Sequence, residues 1–242
     1  MTAPEFVFFD LGQTLIDERE FLRFFDARFL SLLNGFGAKM DPRGYAALRD
    51  SIIRDRLIVH GSIRELVLEV SRLSLPAGYG MTILEKMEPE ISNGRRRLFR
   101  VFDDAKSMLE WMSDKGLGIG IIANQPSEII ELLRKEGIAN FFSTTMISAD
   151  HGLSKPDPRI FKLALEKAGE RKPAHCLMVG DRLDTDITPA KKIGMKTVRV
   201  NSSVFSLQIP RDTYEMPDYT VERLAQIPAV IEEILSGSVI DS

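Results

Sequence analysis

Residues 5–9, EFVFF, form a short apolar run that stops at an acid, Asp10. Aromatic and β-branched side chains with no polar alternation mark a strand buried on both faces, as in a parallel sheet. The pattern recurs at Leu117–Ile122 (LGIGII), Cys176–Val179 (CLMV) and Thr197–Val200. A helical spacing precedes each of these three. Ala105, Met108, Leu109 and Met112 lead into the second run. Ile160, Phe161, Ala164, Leu165 and Ala168 lead into the third, and Ile187, Ala190 and Ile193 into the fourth. Gly116 and Gly194 stand at two helix-to-strand turns and read as helix caps. Thr145–Ser148 is a further short strand candidate, and a weak strand near Tyr219–Val221 leads into a last helix around Leu224–Leu235. Buried strands alternating with helices predict an α/β fold, a Rossmann-like parallel sheet with helices on both faces.

Residues 17–97 follow another rule. Phe21, Phe24, Phe25, Phe29, Leu32 and Leu33 have helical spacing; so do Ile52, Ile53, Arg56 and Leu57, and then Ile63, Leu66, Val67 and Val70. Strand alternation is absent. Gly35, Gly37, Pro42, Pro76, Gly78 and Gly80 divide the segment into several helices. The reading is a core of residues 1–16 and 98–242 with an inserted helical cap domain over 17–97.

A chain of 242 residues is long enough for such a pair. Its 44% hydrophobic and 28% charged residues are ordinary for a globular protein. A net charge of −3 provides no field to draw in nucleic acid. The single cysteine, Cys176, excludes an intrachain disulfide and fits a reducing compartment. No run approaches the roughly 18 apolar residues of a membrane helix. The start, MTAPEFVFFDLG, lacks the basic region and long apolar run of a signal peptide. The expectation is a cytoplasmic protein that binds neither membrane nor nucleic acid; no feature specifies an oligomeric state.

Ligands of open parallel sheets sit outside the carboxyl ends of the strands. The first strand ends in Asp10, the LGIGII strand in Ala123-Asn124-Gln125, and the CLMV strand in Gly180-Asp181. Between the last two lies Ser154-Lys155-Pro156-Asp157-Pro158, a lysine before a helix start. Two carboxylates, an amide and a lysine would converge in one crevice, a set suited to metal-assisted attack on a substrate with dispersed negative charge. Singly, each element is commonplace: an acid after a strand is often a turn residue, a lysine is usually solvated, and Pro and Asp favour helix entry. Their order and spacing carry the signal.

That order resembles the haloacid dehalogenase superfamily, over nearly the whole chain. The family's first motif is a nucleophilic Asp, any residue, a second Asp, Gly and Thr; here it reads Asp10-Leu11-Gly12-Gln13-Thr14. The second, a Ser or Thr closing an apolar strand and often followed by Asn, reads Ala123-Asn124. The third is Lys155 in SKPDPRIF, and the fourth is GDRLDTD with Gly180, Asp181 and Asp186. The helical insertion falls between motifs one and two, as in members with the first type of cap. The resemblance implies a phosphatase in which Asp10 forms an aspartyl-phosphate. It implies Mg2+ held by Asp10, Asp181 and the Gly12 carbonyl, with Asp186 supporting metal-bound water. Lys155 would offset charge on Asp10 and the transferring group. Backbone N–H groups near Leu11, Gly12 and Asn124, at the strand end that Ala123 closes, would hold phosphate oxygens of a small phosphorylated substrate.

Two positions depart from the pattern. Gly12 stands where the family's acid–base Asp belongs, a group worth typically about 10²–10⁴-fold in rate. Ala123 lacks a hydroxyl that would contribute about 1–3 kcal/mol to a charged partner. Three readings follow. The protein hydrolyses phosphates with another group or water handling the proton, and Asp17, Glu18 and Glu20 are nearby in sequence. Alternatively it cleaves a carbon–halogen bond, since the dehalogenase branch also replaces the second Asp. Or it binds phosphorylated ligands or a protein partner with little turnover. The retained acids and Lys155 favour the first, because such charges clustered without pairing are costly to bury. His60, His151 and His175 lack ligand spacing, although His151 could line the pocket. Cys176 reads as a core residue, Arg95-Arg96-Arg97 with Arg100 as a solvated face or a lure for anions, and the phenylalanines at 21–29 as cap packing or an apolar lid.

Overall fold

The computed structural model describes residues 3–59 and 62–236. The chain divides into two compact units, Met1–Asp17 with Arg100–Ser242, and Glu18–Phe99. Strands β1 (Phe6–Phe9) and β2 (Ile16–Asp17) come first. The second unit holds α1 (Arg19–Gly35), α2 (Pro42–Asp55), α3 (Ile63–Ser74) and α4 (Tyr79–Leu98). The first unit resumes with β3 (Arg100–Val101), α5 (Ala105–Asp114), β4 (Gly118–Ala123), α6 (Ile129–Lys135), β5 (Thr144–Ile147), α7 (Ser148–His151) and α8 (Pro158–Lys167). It ends with β6 (Cys176–Gly180), a π-helical turn Leu183–Ile187, α9 (Thr188–Lys192), β7 (Lys196–Val200), β8 (Tyr219–Val221) and α10 (Ile227–Ser236).

Six strands form one parallel sheet in the order β5-β4-β1-β6-β7-β8. The chain builds outward on one side of β1 and then crosses to the other. A crevice therefore opens at the carboxyl ends of β4, β1 and β6. The fully apolar runs have their reason here: β1 is buried along its whole length. Phe6 lies opposite Gly118 and Phe8 opposite Gly120. A Cβ at Gly118 would stand 2.2 Å from the Phe6 ring, and one at Gly120 2.9 Å from the Phe8 ring. The glycines of LGIGII are thus the small half of a large–small match across two strands. Phe6, Phe8, Ile122, Cys176 and Met178 share a cluster with Ile160, Phe161, Ala164 and Leu165 of α8. Cys176 is indeed a core residue, and burial pushes its thiol up to about 12. The helix expected over Ile187–Ile193 is shorter than its spacing suggests, because the π-turn precedes it.

The helical unit, taken by itself, is an aromatic-centred bundle. Phe21, Phe25, Phe29 and Leu33 form the buried face of α1, and Phe29 meets Tyr45 of α2 edge-on at 5.9 Å. Asp41 caps α2 with Pro42 in its first turn, and a Ser62–Glu65 capping box starts α3. One expectation fails. The helical spacing runs on to Leu57, yet Leu57 is 49% exposed. Arg56 turns left-handed at φ +59 and ends α2, which swings Leu57 off the helical face. The ribbon of β2 and β3, pairing Ile16 with Val101 and Asp17 with Arg100, is too short for any periodicity to reveal.

Candidate active site

Asp10 follows β1, and its N–H continues the sheet by donating to the Val179 carbonyl at 2.9 Å. Beyond it the chain folds into a tight loop. The Leu11 carbonyl accepts from the N–H groups of Thr14, Leu15 and Ile16 at 3.2, 3.0 and 2.8 Å. Gln13 holds the left-handed conformation of this loop, φ +53. The family places Gly there, so position 13 is a further departure, which the loop tolerates although a side chain resists that backbone. The Gln13 Oε1 accepts from the Val204 N–H at 3.3 Å, tying this loop to the one after β7. Leu11 is buried, and Gly12 bridges to Ile16 with an extended backbone contact.

Lys155 is buried, and its Nζ donates to Asp10 Oδ1 and Asp186 Oδ1, each at 2.6 Å. Asp186 Oδ2 accepts from the Arg182 N–H at 3.0 Å, so both its oxygens are engaged. The π-turn brings Asp186 back beneath Gly180, where a Cβ would lie 2.5 Å from its carboxyl carbon. Arg182 pairs with Asp184 at 2.7 Å and stacks over Phe205 at 4.4 Å. Ser203 donates to Asp181, whose Oδ2 is nonetheless buried with no hydrogen-bond partner. Carboxylate oxygens of Asp10, Asp181 and Asp186 lie within 4.8 Å of one another. The Asn124 amide engages the backbone of Lys155, while Ala123 is fully buried at the end of β4.

The electrostatics follow from burial. Burial pushes the Asp10 carboxyl up to about 6 against the pull of Lys155. Asp181 is raised well above the carboxylate range by burial, then by the charges of Asp10 and Asp186. Burial alone would depress the Lys155 ammonium, but Asp10 and Asp186 hold it above its usual value. Three carboxyl groups stand around one ammonium, so the cluster holds more acids than Lys155 alone can balance once they ionise. With an unpartnered oxygen on Asp181 and only hard oxygen donors, the set fits a divalent cation.

Asp17 lies in β2, Glu18 precedes α1, and Glu20 is exposed in the first turn of α1. His151 closes α7. His175 precedes β6 at the amino end of the sheet, where its Nδ1 meets Glu5 Oε1 at 2.7 Å. Neither joins a metal-ligand cluster among the described residues, and His60 lies outside them. Arg96, Arg97 and Arg100 are exposed, whereas Arg95 is largely buried, and desolvation lowers its pKa. Sequence reasoning missed Gln13 and Ser203. Ser203 is one hydroxyl in a loop with no motif, although Gln13 could have been found as the unusual residue at a position the family gives to Gly.

The approach of Gly180 to Asp186 supports a prediction. Gly180→Ala should cost about 1–3 kcal/mol by overpacking and push Asp186 away from Lys155. Urea denaturation checks it; an unchanged midpoint would mean that the two groups are less tightly packed than described.

Fold and site together define a Rossmann-like hydrolase built around buried carboxylates and a lysine at the sheet's switch point. The chain belongs to the haloacid dehalogenase-like hydrolases, whose family profile matches residues 5–194. It is 26% identical over 237 residues to the glyceraldehyde 3-phosphate phosphatase of Methanocaldococcus jannaschii, covering 94% of this chain and 97% of that one. A 36% identical stretch of 115 residues matches the enzyme of that name from Methanopyrus kandleri, spanning 48% of this chain and 47% of its relative. Among solved structures, a haloacid dehalogenase-like protein of Agrobacterium tumefaciens shares the fold with a TM-score of 0.73 at 21% identity, covering 96% of this chain and all of that one, 100%.

Proposed function

We propose that the protein is a magnesium-dependent phosphatase that hydrolyses a small phosphorylated metabolite through an aspartyl-phosphate on Asp10. The observation that carries this reading is the buried cluster of Asp10, Asp181 and Asp186 beside Lys155, three acids to one ammonium. Asp10 and Asp181 would hold the ion together with the Gly12 carbonyl, and Asp186, with both oxygens engaged, would support it from outside. Bound Mg2+ would supply positive charge that lets an anionic nucleophile approach an anionic phosphate.

Asp10 attacks phosphorus; a new oxygen–phosphorus bond forms as the bond to the leaving oxygen breaks. Lys155 holds Asp10 in place and offsets charge on the transferring group. Backbone N–H groups of Leu11, Gly12 and Asn124 bind the phosphoryl oxygens, with Ala123 adding no hydroxyl. Water then attacks the phosphoryl group, releasing phosphate and restoring Asp10. With Gly12 in place of an acid, the leaving oxygen takes its proton from water, so good leaving groups are favoured. The helical unit of residues 18–99 serves as a cap that admits substrate and excludes water. No helix among the described residues is long and apolar enough to cross a membrane, and the setting proposed is the cytoplasm, with neither nucleic acid nor membrane as a partner.

The test is release of nitrophenol from para-nitrophenyl phosphate. Turnover with magnesium and none with EDTA is expected. Halide release from a 2-haloacid without magnesium would replace this reading with dehalogenation, which the missing acid at Gly12 otherwise favours.

Protonation gives a second test. A raised acid pKa stabilises the metal-free fold below about 3.8, and that contribution is lost as pH rises through about 6 for Asp10. Magnesium must displace those protons. The melting temperature should therefore rise more on adding magnesium at pH 8 than at pH 5. An equal rise at both would place the ion away from Asp10 and Asp181.

A further inference from the structure

Asn124 directly follows β4, at the mouth of the crevice, where an amide would ordinarily face substrate. Its side chain is occupied elsewhere. Nδ2 donates to the Lys155 carbonyl at 2.8 Å, and Oδ1 accepts from the Lys155 N–H at 2.8 Å. One side chain thus satisfies both backbone groups of a single residue, as a neighbouring strand would. A bidentate amide clamp fixes orientation as well as position, because both bonds must keep their geometry at once. Lys155 needs such a hold. Its ammonium is buried and must meet Asp10 and Asp186 together, each at 2.6 Å. It sits outside any strand or helix, between α7 and α8, so no ladder holds its backbone. A flexible lysine stem delivers its charge accurately only when its base is fixed.

We infer that Asn124 is a positioning residue acting through Lys155: its amide clamps the Lys155 backbone and so sets where the ammonium stands between Asp10 and Asp186. Its effect on turnover, though not the clamp itself, rests on the phosphatase reading. Asn124 therefore tunes the chemical step and not substrate affinity. Its side chain is committed inward, to the Lys155 backbone.

The experiment uses full-length protein carrying lysine labelled with heavy nitrogen. A buried ammonium held by two carboxylates exchanges its protons slowly, so Lys155 gives an NH3+ resonance in a proton–nitrogen correlation spectrum, assigned by its loss in Lys155→Met. In Asn124→Ala that resonance should broaden or vanish while the chain stays folded by circular dichroism. Turnover of para-nitrophenyl phosphate should show kcat lower by about 10–100-fold with KM unchanged. Asn124→Asp keeps the acceptor for the Lys155 N–H and loses the donor, so it should fall between Asn124→Ala and wild type; it decides the matter if the alanine variant does not fold. A raised KM with the resonance intact would make Asn124 a substrate contact and overturn the inference. So would an unchanged resonance and kcat in a folded variant, or a wild type without the resonance. A wild type that shows the resonance but no turnover refutes the phosphatase reading alone, and the spectrum of Asn124→Ala still decides the clamp.

Discussion

Gly12→Asp is expected to raise turnover of an alkyl phosphate by about 10²–10⁴-fold, the usual contribution of a general acid–base group. The backbone is ready for the change. The left-handed conformation in the loop falls on Gln13, while Gly12 bridges to Ile16. The carbonyl proposed for the ion is unaltered by the substitution. A nitrophenolate leaves without a proton, so para-nitrophenyl phosphate should gain less than an alkyl ester. Steady-state kinetics on both esters provide the comparison. Equal gains would locate the benefit in the water-attack step shared by both substrates. No gain on either, with magnesium affinity retained, would show that proton transfer does not limit this enzyme and would return attention to Ala123.

Asp10→Asn should lower turnover by about 10⁴-fold or more, as expected when the group that forms the covalent bond is lost. The fold should survive. Burial already disfavours the Asp10 charge, lifting its pKa to about 6. The substitution does not strand Lys155, because Asp186 remains at 2.6 Å. An unchanged melting temperature with lost activity would assign the effect to chemistry. Residual activity near that of wild type would exclude covalent catalysis at this position. A single turnover of the wild type in water labelled with heavy oxygen separates the two bond classes. Label in released phosphate marks attack on phosphorus, whereas label in the Asp10 carboxyl marks hydrolysis of a carbon ester and a dehalogenase.

Lys155 shows what is gained by seeing the site assembled. Alone it reads as a surface charge, yet it is 2% exposed. The reason is that Asp10, 145 residues away, and Asp186, 31 residues away, both turn toward it. Paired in this way it offsets part of the repulsion between Asp10 and Asp186. Removing it would uncover buried charge, which typically costs about 3–5 kcal/mol when one partner of a buried pair is lost.

The sheet, and the places where chemistry-bearing residues leave it, are legible in local patterns of the chain. Runs such as FVFF and CLMV carry that information locally, because a strand buried on both faces must be apolar throughout. Since ligands meet parallel sheets at strand ends, Asp10, Asn124 and Asp181 read as neighbours from the sequence. Other features follow from packing between segments far apart in the chain. The glycines of LGIGII are there because of Phe6 and Phe8 on the adjacent strand, more than a hundred residues earlier. The π-turn that returns Asp186 beneath Gly180 has no periodicity of its own. The amide of Asn124, legible only as a polar group at a strand end, proved to point inward to the Lys155 backbone. Local patterns record which surfaces must be buried; which polar atoms then meet depends on distances between segments that no local pattern encodes.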